Sequence, residues 1–386
     1  MNKKLKKIKK QLKRANWLYL LLVWTTAMLA FNIIFYFINH DVRFGSYLNS
    51  NHESIKIAGH IKKPGNVKGI YITAYTAGIS RFDELIDFVK ANGLNTIVLD
   101  VKGPNGEPAF FLKRESLKEY NPDKPIFNVS RVIEKLHDNN IYAIARIFVF
   151  QDPYLVGKEP QFALHRKGGG FWTDYKGVKW LDPTHFGVWK YNADFAREAY
   201  EQGFDEVQFD YIRFPSDGNL ATIEYTNWDG TTPKEVEMEE FFKYMSRVLR
   251  GAKIPSSADL FGLVCCYDDY DLGIGQKLER ALPYFDFISP MMYPSHYADG
   301  FIGYANPASH PYGVVKYSME EANRIRNRVL ASSTAQMAEL RPWIQDFDIG
   351  DIYDTAKVRA QIQAIEETNG EGFLIWNARN VYTSLR

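Results

Sequence analysis

The feature that most constrains the fold is an alternation of two kinds of segment after Val67. Short apolar runs such as VKGIYITAY, TIVLD and YAIARIFVF are rich in β-branched and aromatic residues, which is typical of buried strands. Between them lie segments with apolar residues at helical spacing. One is SRFDELIDFVKANG, with Ser80 at the N-cap position and Gly93 as the stop. The chain contains eight such strand-like runs, each separated from the next by a helical one.

Parallel strands joined by helices need covering on both faces, so eight such units over residues 67–386 favour a single (β/α)₈ (TIM) barrel domain. The alternative is a doubly wound open sheet. Its first strand would normally be followed by a G-x-G-x-x-G turn, which the run ITAYTAGIS lacks. We therefore predict the barrel.

A separate N-terminal region precedes the barrel. Its first fourteen residues carry eight Lys or Arg and no acid, and the uncharged run 17–38 follows. That run is long enough to span a bilayer core of about 30 Å. A signal peptide cleaved near Ala27 and a buried core helix are the alternatives, but the length of the run and its basic flank favour an uncleaved anchor. We predict a basic cytoplasmic segment at 1–16, a transmembrane helix at 17–38 and a linker at 39–66, with the barrel outside the cell membrane.

The overall composition argues against several classes of function. The net charge is +1, which gives no indication of a nucleic-acid partner. Cys265 and Cys266 are the sole cysteines and are adjacent, so neither a disulfide framework nor a cysteine metal site is expected, and we predict that both lie on a core strand. The chain has no G-x-S-x-G elbow, no phosphate-binding loop and no H-E-x-x-H motif. We therefore predict an activity that needs no cofactor and no metal.

Polar residues lie at the carboxyl ends of the predicted strands, where a barrel builds its active site. The run FDEVQFDYIRFP carries Asp210 inside an otherwise apolar and aromatic strand, and neither capping nor solvation explains a buried acid there. Asp205 and Glu206, at the start of that strand, are expected to be structural. The long loop after the third strand carries Asp182, which could equally begin the next helix. Other strands bring Asp100, Arg146, Asp259, Tyr293, Asp346 and Trp376 with Asn377 to the same end.

Two carboxylates that face each other across a pocket are sufficient to cleave a glycosidic bond. Asp100 could also simply form an ion pair with Arg146 on the neighbouring strand. Either Arg146 or Arg213 could keep Asp210 ionised.

Aromatic side chains near the predicted site could stack on sugar rings or fill gaps between the loops and the barrel. They are Trp172, Tyr175, Trp180, Trp228 and Tyr293.

The segments GIYITAYTAG, TIVLDVKGPNGEPAF, YAIARIFVFQD, WLDPT, EVQFDYIRFP and FISPMMYPSHY together resemble a family of bacterial barrels. The family is catalogued as a domain of unknown function and regarded as glycoside hydrolases. It is more distantly similar to alpha-amylases and alpha-galactosidases, in which an aspartate at the end of strand four is the nucleophile. The matching residue here is Asp210. The alpha-amylases place a glutamate at the end of strand five, and the resemblance therefore implies Asp259 as the general acid, with Asp100, Asp346 and Asp182 as alternatives.

Together these features predict a membrane-anchored glycoside hydrolase that acts on a cell-envelope or extracellular polysaccharide. Two alternatives stay open: a barrel that binds glycans without cleaving them, and a transglycosylase on the same scaffold. The residues expected to bind the substrate are Arg146, Tyr211, Arg213, Trp172, Trp180, Tyr293 and Trp376.

Overall fold

The computed structural model describes residues 59–333 and 336–385, and its core is a closed barrel of eight parallel strands. Each strand pairs with the next, and β8 pairs with β1 to close the barrel, which confirms the predicted fold over the open sheet. The strands are β1 Val67–Ile72, β2 Thr96–Lys102, β3 Tyr142–Phe148, β4 Glu206–Asp210, β5 Ser256–Phe261, β6 Phe287–Met291, β7 in two pieces at Glu339–Leu340 and Trp343–Gln345, and β8 Gly372–Trp376.

A helix lies between each pair of consecutive strands. These helices are α1 Arg81–Ala91, α2 Val129–Asp138, α3 Phe186–Glu201, α4 Lys234–Gly251, the single turn α5 Leu278–Ala281, α6 Pro311–Ser332 and α7 Thr355–Glu367. Two short helices, Ala74–Ala77 and Pro153–Lys158, lie within loops. In the described part of the chain no helix follows β8, so the last of the eight predicted βα units consists of its strand alone.

The first helix shows how the sequence pattern produces the barrel wall. The four apolar side chains of α1 are buried because their spacing places them on one face of the helix. Gly93, two residues beyond the end of α1, has a φ of +69°, a conformation that glycine adopts without steric cost. Ser80 occupies the N-cap position, but its side chain makes no capping hydrogen bond.

The amino ends of the strands are held by buried ionic contacts. Glu206 accepts hydrogen bonds from Arg341 and from the Ser257 hydroxyl, the latter at 2.6 Å. Asp205 accepts from the backbone N–H of Ala143 at 2.8 Å and lies 3.1 Å from His137 Nε2. Both acids therefore make structural contacts at the end of the barrel away from the site, as the sequence predicts.

The long loops after β3 and β4 pack against each other beside the carboxyl ends of the strands. His165–Arg166 and Ile223–Glu224 form a small antiparallel sheet between the two loops. Asp182 accepts hydrogen bonds from Thr184 in its own loop and from Thr226 in the other, at 2.7–3.0 Å. These contacts fix the two loops relative to each other.

The prediction that both cysteines lie on a core strand is wrong. Cys265 lies in a 3₁₀ turn, Gly262–Cys265, and Cys266 follows it. Neither is on strand β5, because that strand ends at Phe261.

The predicted transmembrane segment 17–38 lies outside the described residues, as does most of the 39–66 linker. Within residues 59–333 and 336–385, no helix has the length and apolar character needed to cross a bilayer.

Candidate active site

A cavity of about 340 Å³ opens at the carboxyl ends of the barrel strands. Residues from β3 to β8 and from the loops that follow them line it, so the closed barrel brings together side chains that are far apart in the sequence. The lining residues are Arg146, Asp210, Tyr211, Arg213, Asp259, Phe261, Gly262, Leu263, Met291, Tyr293, His296, Tyr297, Trp343 and Trp376.

The charged centre of the cavity is Arg146, whose guanidinium contacts three aspartates. Its Nη1 donates to Asp100 Oδ1 at 2.6 Å, and its Nη2 donates to Asp210 Oδ2. Its Nε lies 3.4 Å from Asp259 Oδ2. The strand register explains the arrangement, because Asp100 on β2 is the direct neighbour of Arg146 on β3. The ion pair between these two residues, predicted from the sequence as one possible role of Asp100, is present.

Asp100 is not among the residues that line the cavity. Its second oxygen accepts a hydrogen bond from the Tyr71 hydroxyl at 2.6 Å. Burial raises the pKa of Asp100, and the neighbouring Arg146 opposes that effect. With both of its oxygens occupied, Asp100 is placed to hold Arg146 in position and has no oxygen directed at a ligand.

Asp210 ends β4 and lines the cavity with only 5% of its surface exposed. Besides the contact with Arg146, its Oδ1 accepts from the backbone N–H of Tyr211 at 2.6 Å. Tyr211 has a φ of +55°, which is unusual for a bulky residue and is a form of backbone strain found at functional sites. Its ring stacks on Phe148, with centroids 4.4 Å apart. The chain thus turns sharply after β4 and holds the carboxylate in one orientation.

Asp259, on β5, has a different environment. Its Oδ1 accepts from Trp343 Nε1 at 2.8 Å. Its Oδ2 is buried and has no hydrogen-bond partner among the residues that the structure describes. Burial, and next the charge of Asp210, raise the pKa of Asp259 well above its ordinary value. Asp259 is therefore suited to hold a proton in the cavity, whereas Asp210 accepts two hydrogen bonds as expected of a carboxylate.

Aromatic rings enclose this charged centre. Tyr71 stacks on Trp376 with centroids 4.0 Å apart, and the Arg146 guanidinium lies 4.8 Å from the centre of the Trp376 ring. Tyr293 packs edge-on against His296 and Phe347. Flat apolar rings beside buried charges can exclude water and contact the apolar face of a ligand.

The structure brings seven of the residues predicted from the sequence to the cavity: Asp210, Asp259, Arg146, Tyr211, Arg213, Tyr293 and Trp376. The others lie elsewhere. Asp346 accepts hydrogen bonds from the backbone and side chain of Thr383. Asp182 joins the two loops as described above. Trp172 and Trp180 are buried and use their indole N–H groups on Asn219 and Asp174, so both stabilise the loops.

Sequence reasoning missed several lining residues, among them His296, Tyr297, Phe261 and Trp343. His296 and Tyr297 belong to the run SPMMYPSHY, which carried the family resemblance, and their position directly after β6 could have identified them. Burial lowers the pKa of His296, which favours its neutral form. Among the described residues, no group of three or more His, Cys, Asp or Glu side chains could hold a metal ion.

Comparison with known families identifies the chain. Residues 69–382 match the family described as "Putative glycosyl hydrolase domain". The chain belongs to this family. The match includes strands β2 to β8 and all of β1 except Val67 and Lys68. A comparison with curated proteins gives no match.

Solved structures resemble this chain over 49–81% of its length. The glycoside hydrolase domain of PgaB (BpsB) from Bordetella bronchiseptica has a TM-score of 0.57 at 14% identity, covering 81% of this chain and 94% of that one. The endo-1,4-beta-D-mannanase from Thermotoga petrophila has a TM-score of 0.51 at 14% identity, covering 81% and 88%. A hypothetical protein from Ruminiclostridium thermocellum is 34% identical over 49% of this chain and 96% of its own, with a TM-score of 0.45. The first two share the barrel fold with this glycosyl hydrolase family member.

Proposed function

We propose that the protein is a glycoside hydrolase in which Asp210 is the nucleophile and Asp259 the general acid. The observation that carries the proposal is the pair of unlike carboxyl groups in one cavity. Asp210 is hydrogen-bonded by Arg146 and a backbone N–H, while Asp259 is buried and its Oδ2, 3.4 Å from Arg146 Nε, accepts no hydrogen bond among the described residues. Glycoside hydrolysis needs this asymmetry, because one group must be ionised while the other carries a proton.

The reaction follows from these roles. Asp210 attacks the anomeric carbon as the glycosidic C–O bond breaks, and Asp259 gives its proton to the leaving oxygen. Asp259, now ionised, takes a proton from water, which attacks the same carbon and releases Asp210. Arg146 stabilises the negative charge of Asp210 before the attack and again as water releases it, and Tyr293 and Trp376 flank the sugar in the cavity.

The substrate in this proposal is a cell-envelope or extracellular polysaccharide, and residues 17–38 anchor the protein to the membrane. The basic segment before the uncharged run supports this orientation. We expect a tag at the C-terminus to be digested by protease added to intact spheroplasts, and a tag at the N-terminus to be protected. Protection of both tags would contradict the placement of the barrel outside the cell.

The activity is tested with the purified full-length chain in a detergent that contains no sugar. We expect the wild type to release reducing ends from at least one polymer in a panel of bacterial envelope polysaccharides. Asp210→Asn and Asp259→Asn should each lose at least about 100-fold, since positioned acid–base groups alone contribute factors of this size. The exposed Asp87 provides a matched control, and Asp87→Asn should retain full activity.

The products separate the alternatives. Shortened chains support a hydrolase, whereas lengthened chains indicate a transglycosylase. Binding of a polymer without any release by the wild type would favour a non-catalytic glycan-binding barrel. To test the nucleophile directly, azide can be added to Asp210→Gly, where a small anion can take the place of the missing carboxylate. A glycosyl azide product supports attack by Asp210 on the anomeric carbon, and its absence in a folded variant counts against it.

A further inference from the structure

Arg213 differs from every other buried arginine in the described part of the chain. Arg114 pairs with Glu201, Arg341 with Glu206, and Arg146 with its three aspartates. Arg213 is only 7% exposed, yet it forms no ion pair with a carboxylate of the described residues. Burying a cation without a counter-charge is unfavourable. A buried, unpaired arginine in a cavity therefore indicates a site for an anionic ligand.

The surroundings of Arg213 hold its side chain in place without neutralising it. Nη1 donates to the Phe214 carbonyl and to the Ser216 hydroxyl, both at 3.1 Å. The guanidinium lies against the rings of Trp180 and Phe261, about 5 Å from each centroid. Burial lowers the pKa of Arg213, and the charges of the nearby Asp210, Asp217 and Asp174 oppose this effect without reversing it.

Nε and Nη2 form one edge of the Arg213 guanidinium, and this edge is free to bind a ligand. In the described structure no hydrogen-bond acceptor is assigned to Nε or Nη2, while Nη1 makes two bonds. These two nitrogens present parallel N–H groups, and that arrangement matches the two oxygens of a carboxylate or a phosphate. A neutral hydroxyl could accept from one of them but would leave the charge uncompensated.

Arg213 lies close enough to the proposed catalytic residues to contact the same ligand. Arg213 lines the same cavity as Asp210 and Asp259. At about 340 Å³, the cavity is at the small end of the range for ligand pockets. A group that contacts Arg213 therefore belongs to the sugar bound beside the carboxylates, or to its direct neighbour.

We infer that the substrate is an anionic glycan, whose carboxylate or phosphate group binds Nε and Nη2 of Arg213. The inference rests on the proposed glycoside hydrolase function, because it names the class of polymer that the same cavity takes. It separates this protein from enzymes that act on neutral polymers.

The test measures binding and cleavage separately, with the full-length chain. The probes are polygalacturonate, alginate and hyaluronan, each before and after reduction of its carboxyl groups to alcohols, and a phosphate-substituted mannan before and after removal of phosphate. We expect at least one anionic polymer to bind about 10- to 100-fold more tightly than its neutral form, as for a charged hydrogen-bonded pair. The pair that shows the preference identifies carboxylate or phosphate as the anionic group.

Variants then assign the preference to Arg213. Arg213→Gln should abolish it, and Arg213→Lys should keep part of it, because the charge remains while the two-pronged contact is lost. Arg131, which is exposed on α2, serves as the control for general attraction of polyanions, and Arg131→Gln should bind as the wild type does. If Arg213→Gln fails to fold, the comparison of each polymer with its neutral form on the wild type still decides.

Equal binding of the anionic and neutral forms, no binding of any anionic polymer, or an unchanged preference in folded Arg213→Gln would overturn the inference. Release of reducing ends from a neutral polymer, unaffected by Arg213→Gln, would overturn it while leaving the hydrolase proposal intact. Anion binding that depends on Arg213 but gives no cleavage would support an anionic glycan as the ligand of this cavity and would contradict the hydrolase proposal.

Discussion

Replacing Arg146 with methionine is the most informative perturbation of the site. The change removes one cation and leaves Asp100 and Asp210 buried at 3% and 5% exposure without their shared partner. Removal of one member of a buried ion pair typically costs about 3–5 kcal/mol. Each aspartate keeps one other donor, Tyr71 for Asp100 and the Tyr211 N–H for Asp210. We therefore expect Arg146→Met to lower the free energy of unfolding by about 3–5 kcal/mol at pH 8 in total, and not by that amount for each aspartate.

The loss should depend on pH in a defined direction. Burial raises the pKa of Asp100 and Arg146 opposes this, so the pKa rises further in Arg146→Met. A group whose folded pKa is raised keeps its stabilising contribution at low pH and loses it as pH increases through the folded value. The difference in unfolding free energy between wild type and variant should therefore be larger at pH 8 than at pH 5.

Urea unfolding of the full-length chain, followed by tryptophan fluorescence at both pH values, measures this difference. The double variant Arg146→Met with Asp100→Asn should recover about 1–2 kcal/mol at pH 8, because it removes one of the stranded charges. Arg131→Met, at an exposed position on α2, should change stability by less than about 0.5 kcal/mol. A loss below about 1 kcal/mol for Arg146→Met, or a larger loss at pH 5 than at pH 8, would refute this account of the charge cluster.

Two further predictions concern single hydrogen bonds. The indole N–H of Trp343 favours the ionised form of Asp259 and so lowers the pKa of that carboxyl. Trp343→Phe should therefore raise the pKa of Asp259 and move the alkaline fall of kcat/KM to higher pH. A shift of this fall to lower pH would contradict the assignment of Asp259 as the acid. Asp346→Asn removes one of the two carboxylate oxygens that accept hydrogen bonds from Thr383. The change should lower the free energy of unfolding by about 1–2 kcal/mol and change kcat by less than about twofold. A roughly tenfold fall in kcat of the folded variant would make Asp346 a candidate acid again.

Much of the fold could be predicted from the sequence because its signals are local. The periodicity of α1 fixes its buried face, and the apolar runs fix the strands. Asp210 could be singled out because it interrupts a strand with no local explanation. The contact between Asp100 and Arg146 followed from both lying near the ends of neighbouring strands, since parallel neighbours place such residues side by side.

The identity of the second acid could not be settled in the same way. Asp259 and Asp346 look alike in the sequence, each near the end of an apolar run, but Asp259 lies within β5 and Asp346 lies just beyond β7. A shift of one residue at a strand end turns a side chain to the opposite face. The partner of Asp346, Thr383, lies 37 residues further along the chain, and no local pattern predicts that contact. The roles of Trp172 and Trp180 were likewise decided by how two long loops fold together.

The charge balance around Arg146 explains why the carboxyl groups of the cluster differ. One cation contacts three aspartates, and three neighbouring negative charges around one positive charge would repel strongly at low exposure. At least one aspartate is therefore expected to hold a proton, and hydrogen bonding decides which one. Asp100 and Asp210 each accept two hydrogen bonds, one of them from Arg146, whereas Asp259 accepts one, from Trp343. In the proposed mechanism the proton therefore belongs on Asp259, in the cavity, where a leaving oxygen could receive it, and Asp100 contributes by holding the shared cation.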